Sequence, residues 1–167
     1  KVLDNHMSAV LGVAFSTSER KMMTGGRDKV VSVWDMDTYE LLKTVPVYEY
    51  IESVVCVPGV GLGVSQGTSS SDLFVSAGAK GSIRFWDAAS MKPVHAFDID
   101  SVADHHSEDS AKHAEDVLAT TISHLVLTPQ DDGQLALFAA TAEHNVHMYR
   151  LHHPSSTAST AASTSTS

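Results

Sequence analysis

Four side chains near the start of the sequence could do chemistry together. They are His6, Thr24, Asp28 and Trp34. A histidine, a hydroxyl and a carboxylate are the ingredients of nucleophilic catalysis, in which the imidazole takes the hydroxyl proton and the carboxylate orients the ring. Thr24, however, has none of the local pattern of an activated nucleophile: no Gly-x-Ser-x-Gly elbow surrounds it. The spacing, with a tryptophan ten residues after the threonine, fits a structural hydrogen-bond set better than a reaction centre. Ten histidines also raise the question of metal binding, with His105, His106 and His113 lying among acids. No His-Glu-x-x-His or Cys-x-x-Cys pattern supports such a site, so none is assigned. Gly25-Gly26 and Gly78 to Gly81 lack the Lys-Ser/Thr of a phosphate loop and are read as turns. The single cysteine, Cys56, has no partner within the chain for a disulfide, which fits a reducing compartment. No cofactor, metal, small-molecule substrate or enzymatic activity is expected.

The elements that must position these residues are short strands. Met22 to Asp35 reads as two strands around a turn: an apolar run into Thr24, Gly25-Gly26 as breakers, Asp28-Lys29 as turn residues, then β-branched residues closing on Trp34-Asp35. The pattern returns from Leu73 to Asp87. There Ser76 lies ten residues before Trp86, and Trp-Asp again ends the second strand. A third, eroded copy has Ala139, Glu143 and Tyr149 in the corresponding places. Around each copy lie further strands: Ser8 to Ser16, apolar enough to be covered on both faces, and Glu40 to Val45; Tyr50 to Val57 and Val94 to Phe97; and a strand from Val117 to Leu127 ahead of a turn at Pro129 to Gly133. Residues 1–3 read as the closing strand of a preceding unit.

These paired strands, the Trp-Asp closures and the recurring spacing resemble WD40 repeats. The resemblance implies an all-β fold, a WD40 β-propeller, of which this chain supplies about three four-stranded blades. A blade cannot bury its own faces, so several must stack around an axis. Seven is usual in the family. The units are 1–49; 50–97, with a loop insertion at 59–71; an acidic, histidine-bearing insertion at 98–116; a degenerate third repeat at 117–151; and a Ser/Thr/Ala-rich tail at 152–167. Trp34 and Trp86 are 52 residues apart, against about 40 to 45 for an ordinary repeat, and the 59–71 insertion accounts for the excess. By the same resemblance, the Trp34 indole donates to Thr24, Thr24 reaches His6, and Asp28 holds the other ring nitrogen. Ser76 and Trp86 keep part of this set, but Lys80 stands where the aspartate should be.

The formal charge of −9 is concentrated. Asp98 to Asp116 carries seven acids against Lys112, and the remainder is near neutral. No basic stripe marks a phosphate-tracking surface, and no apolar run is long enough for a membrane helix. Arg27, Tyr48 and Tyr50, polar or amphipathic residues near strand ends, are the candidate partner contacts.

A narrower likeness lies in Gly26 to Val31, Trp34-Asp35, Leu41, Thr44-Val45-Pro46-Val47-Tyr48-Glu49, and Ala142 to Val146 before Tyr149. Over Val2 to Leu151 the sequence is similar to the transducin-beta-like-three group of WD-repeat proteins. That resemblance implies a non-catalytic scaffold in the nucleolar small-subunit processome, acting in precursor ribosomal RNA processing and small-subunit assembly. Its expected partners are other WD-repeat and scaffold proteins and the pre-ribosomal ribonucleoprotein, with indirect RNA contact and no membrane. The location implied is the nucleus and nucleolus. The alternative is a WD-repeat adaptor in signalling or in a ubiquitin ligase; an enzyme built on a propeller has least support.

Overall fold

The computed structural model describes residues 1–16, 18–59, 71–99, 121–131 and 134–151. Most of both insertions, the start of the third repeat and the tail lie outside the described residues.

Among the described residues, eleven strands form three antiparallel sheets. The first joins β1 (Val10–Ser16), β2 (Lys21–Gly26), β3 (Val30–Asp35) and β4 (Leu41–Pro46) in chain order. The second repeats that meander with β5 (Ile51–Val57), β6 (Leu73–Gly78), β7 (Ser82–Asp87) and β8 (Pro93–Asp98). The third has β9 (Ile122–Pro129), β10 (Leu135–Thr141) and β11 (Val146–Leu151). Among the described residues it therefore has three strands, against the four expected of a full blade. The sequence after Leu151 is Ser/Thr/Ala-rich and carries no apolar alternation from which a fourth could be read. Pro129, expected in a turn, is the last residue of β9, a strand end where its missing N–H breaks no ladder. Residues 1–3 form no strand, because no described strand lies beside them to pair with.

Two apolar layers hold the sheets face to face. Between the first and second, Met23, Val31 and Val33 meet Ile51, Val54, Phe74 and Trp86. Between the second and third, Val75, Ile83 and Phe85 meet Ile122, Leu125 and Leu137. The alternation of each strand explains the sharing: on β7, Ile83 and Phe85 face one way and Trp86 the other. β1 was expected to be covered on both faces. Instead Ala14 is buried while Leu11, Val13 and Phe15 are exposed, since no described sheet packs against that side. The opposite end is similar, with Val126, Val146 and Met148 exposed.

Gly25, Gly26 and Gly78 are not turn residues, as their sequence suggested, but lie within β2 and β6. Their role is close approach. A Cβ on Gly25 would sit 2.5 Å from Ile51 Cγ2, and one on Gly78 only 1.8 Å from the Tyr50 carbonyl oxygen. The space lets β1 and β5 bulge where they begin: the register shifts between Val10 and Gly12, and again between Ile51 and Ser53. Gly81, by contrast, does occupy a turn and has a positive φ of 72°.

Candidate functional site: two clasps and the loop end they hold

The first sheet places Thr24 on β2 opposite Ser32 and two register positions from Trp34, which pairs with Met22. The Trp34 indole nitrogen lies 3.0 Å from Thr24 Oγ1. His6, in the segment before β1, brings Nε2 to 2.7 Å from the same oxygen and Nδ1 to 2.8 Å from Asp28 Oδ2. Two donors are fixed by elimination: an indole N–H only donates and a carboxylate only accepts, so Trp34 donates to Thr24 and the Nδ1–H of His6 donates to Asp28, while the Thr24 hydroxyl proton has two acceptors within reach, His6 Nε2 and the Ser32 carbonyl at 3.3 Å. The Met7 N–H adds a donor to Asp28 at 2.9 Å. The His6 and Asp28 side chains are 6% and 9% exposed. Thr24 is 7% exposed, and its oxygen is covered by the Trp34 indole and the His6 ring, which makes it a buried link in a hydrogen-bond chain. Asn5 extends the clasp outward, its side-chain N–H donating to Ser32 Oγ at 2.8 Å and to Thr44 Oγ1 at 3.0 Å.

The second sheet solves the same problem with different residues. Trp86 donates to Ser76 Oγ at 2.9 Å, matching the first copy. With no histidine available and Lys80 in place of the aspartate, the carboxylate comes from Glu49, just before β5. Its side chain is fully buried. Glu49 accepts the backbone N–H of Lys80 at 3.0 Å and forms an ion pair with the Arg84 guanidinium. Arg84 occupies on β7 the place that Ser32 occupies on β3, two residues before the tryptophan. Sequence reasoning missed this pair. The only signal was that a buried-strand position carried an arginine, which requires a nearby anion. In the third sheet, Tyr149 turns its ring onto Phe97 of β8, with centroids 5.1 Å apart.

Polar contacts also bind sheet to sheet. Asp72 is buried beside Ser16, whose hydroxyl donates to it at 2.7 Å, and beside the Gly59 N–H at 2.9 Å. Burial alone would raise this carboxyl, but the bonds from Gly59, Ser16 and Ser18 hold it below the ordinary aspartate value. Cys56 lies against it. Burial, reinforced by the Asp72 charge, pushes the thiol up to about 12, so Cys56 is held as the thiol and not the thiolate at neutral pH. From the first sheet, Lys21 Nζ donates to the Ala88 carbonyl at 2.9 Å and Lys43 Nζ to the Met91 carbonyl at 3.0 Å, gripping the turn between β7 and β8. Across the other junction the Leu125 N–H donates to Ser53 Oγ at 3.0 Å.

The clasps share one end of the sheets, and the candidate contacts lie there. The Val47 N–H donates to the Lys29 carbonyl and the Ala79 N–H to the Tyr50 carbonyl. The 46–50 connection therefore runs between the β2–β3 turn and the β6–β7 turn. Tyr48 and Tyr50 are exposed along it, Lys29 Nζ sits 5.1 Å from the Tyr50 ring centroid, and Arg27 Nε is 3.9 Å from Glu52 Oε1. Among the described residues no group of three His, Cys, Asp or Glu side chains is placed to hold a metal ion.

Comparison with known proteins fits this geometry. The family described as "WD domain, G-beta repeat" matches residues 1–35, which contain His6, Thr24, Asp28 and Trp34. Transducin beta-like protein 3 of Mus musculus is 33% identical over 154 residues, covering 90% of this chain and 17% of the relative. Its Homo sapiens counterpart is 42% identical over 96 residues, covering 56% of this chain and 12% of the relative. The chain thus spans less than a fifth of the length of these relatives. The solved structure of U3-55K superposes with a TM-score of 0.58 at 16% identity, over 89% of this chain and 36% of that one, a likeness of fold. Sheets, clasp and relatives converge on one statement: the chain folds as WD40-type repeat blades and is similar to transducin beta-like protein 3.

Proposed function

We propose that the chain is part of an assembly scaffold of the nucleolar small-subunit processome, in which it helps organise precursor ribosomal RNA processing and small ribosomal subunit formation. The observation that carries this reading is the 33% identity to transducin beta-like protein 3 over 90% of the chain, which includes the Thr44 to Glu49 segment as well as the generic repeat motif. The geometry supports the scaffold half. Buried clasps and two apolar layers make a stiff support, and loops at the sheet ends carry the variable, exposed side chains. Partners on this reading are other WD-repeat and scaffold proteins, and contact with the pre-ribosomal particle runs through them.

The test is affinity purification of the tagged protein from nucleolar extract, with depletion in parallel. The expected result is co-purification of other processome WD-repeat subunits with precursor ribosomal RNA, and accumulation of unprocessed small-subunit precursor on depletion. Recovery of ubiquitin-ligase or signalling components, with normal precursor processing after depletion, would overturn it in favour of an adaptor role.

A further inference from the structure

We propose that Ser18 is a phosphorylation site, and that a phosphoryl group placed there loosens the junction between the first and second sheets. Ser18 is exposed, in the turn between β1 and β2. It adjoins Asp72, which leads into β6 and is only 4% exposed. One carboxylate oxygen of Asp72 accepts the Ser16 hydroxyl at 2.7 Å, and the other accepts the Gly59 N–H at 2.9 Å. Ser16 Oγ also accepts the Glu19 N–H at 3.1 Å and lies 3.5 Å from Ser18 Oγ. A single buried carboxylate thus ties the β1–β2 turn of the first sheet to the second sheet. Its donors are all neutral, and among the described residues no cation forms an ion pair with it.

The same neutral donors keep the Asp72 carboxyl below the ordinary aspartate value, so it is charged at neutral pH. A phosphoryl group on Ser18 sets about 1.5 to 2 further negative charges against it. Like charges this close, away from bulk water, repel strongly, and relief comes from parting the turn from Asp72. The turn holds no spare cation: Glu19 is an acid, Arg20 is paired with Asp37, and Lys21 donates to the Ala88 and Ala89 carbonyls. Ser71 and Ser90 also donate to a carboxylate, that of Asp87, but all three lie in the second repeat, so charge there does not act across the junction. Ser18-Glu19-Arg20 suits a kinase that reads a basic residue two positions after the hydroxyl. The Arg20–Asp37 pair that must open for it is a surface pair, 64% and 55% exposed, and such pairs are weak. In the reaction the Ser18 oxygen bonds to the γ-phosphorus of a nucleoside triphosphate, and the bond from that phosphorus to the β-bridging oxygen breaks. The nucleoside diphosphate leaves, and the hydroxyl proton passes to the kinase's base.

The inference gives the scaffold a means of release and rests on this junction, not on the identity of the complex. To test it, the intact protein is incubated with magnesium ATP and a kinase selective for Ser-x-Arg, then mapped by mass spectrometry and hydrogen exchange. Phosphate is expected on Ser18, with the amides of β1 and β6 exchanging about tenfold faster in the modified protein. Ser18→Glu should move exchange in the same direction. Ser18→Gln, of similar size but uncharged, should stay close to wild type. Asp72→Asn removes the opposing charge, so adding Ser18→Glu to it should bring no further increase. Absence of phosphate from Ser18, exchange as fast in Ser18→Gln as in Ser18→Glu, or an equal effect of Ser18→Glu with and without the Asp72 charge would each overturn the proposal. Slower exchange in the phosphorylated protein would also overturn it, since Arg20 or Lys21 would then be capturing the phosphate and tightening the turn. Retained processome association in any of these cases would remove the switch and leave the assembly role standing.

Discussion

Asp28 and Glu49 are carboxylates doing one job with different partners, and they make different predictions. Asp28→Ala removes the acceptor of His6 Nδ1 and of the exposed Met7 N–H, leaving the nearly buried His6 donor unpaired at about 1 to 3 kcal/mol. A lower urea midpoint with an unchanged slope is the expected reading. Arg84→Met leaves the fully buried Glu49 charge without its cation, which carries a larger penalty of about 3 to 5 kcal/mol. The double change Glu49→Leu with Arg84→Met should recover most of that loss, since a buried ion pair exchanged whole for apolar residues is often neutral. A double variant as unstable as the single one would show that the pair does more than satisfy itself. The first clasp was legible in the sequence because its members are recurrent residue types at recurrent spacing. The second was not. Glu49 and Arg84 are 35 positions apart, neither belongs to a motif, and only folding of the 46–50 connection brings them together.

At the level of strands and turns, the glycines and the Asp-closed turns are the sensitive points. Gly78→Ala drives a methyl into the Tyr50 carbonyl, a backbone atom that cannot swing aside, and should destabilise the protein by about 1 to 3 kcal/mol. Thermal denaturation against wild type measures it, and an unchanged midpoint would contradict the close approach. Glycines in sequence read first as turn signals, which is why Gly25, Gly26 and Gly78 were misplaced; the demand for space comes from the neighbouring strand and is invisible until pairing is known. Asp87 sits at the turn after β7. Burial acts to raise its carboxyl, but the Ser71 and Ser90 hydroxyls and the Ser90 and Ala89 N–H groups outweigh it and hold the value down to about 2. A carboxyl depressed in the folded state adds stability that is complete above its unfolded value of 3.8 and is lost as pH falls towards 2. Asp87→Asn should therefore flatten the decline of the urea midpoint between these limits. A decline as steep as wild type would refute the assignment.

For the whole molecule, the outer faces of the first and third sheets matter most. Leu11, Val13 and Phe15 form one apolar stripe and Val126, Val146 and Met148 another, and stripes of this kind associate in water unless covered. The isolated 167-residue chain should self-associate as its concentration rises, and Val13→Lys with Phe15→Glu should reduce that association without changing the far-ultraviolet circular dichroism. Sedimentation velocity decides; a monomer at every concentration would argue that the stripes are too small to act. The stacked-sheet plan was legible because tryptophan spacing and strand alternation are local signals. The one-sided covering of β1 was not, since an apolar run says nothing of how many sheets surround it.

The second sheet gives one face to each of the two apolar layers, and this has a consequence in time. A chain made from its N-terminus completes the first sheet while Met23, Val31 and Val33 are still wet. Their cover on Phe74 and Trp86 arrives roughly thirty to forty residues after Pro46 closes that sheet, a few seconds at about 5 to 20 residues per second. During that interval the newborn first sheet is the vulnerable species, and a chaperone acting on this protein would find its substrate on the ribosome.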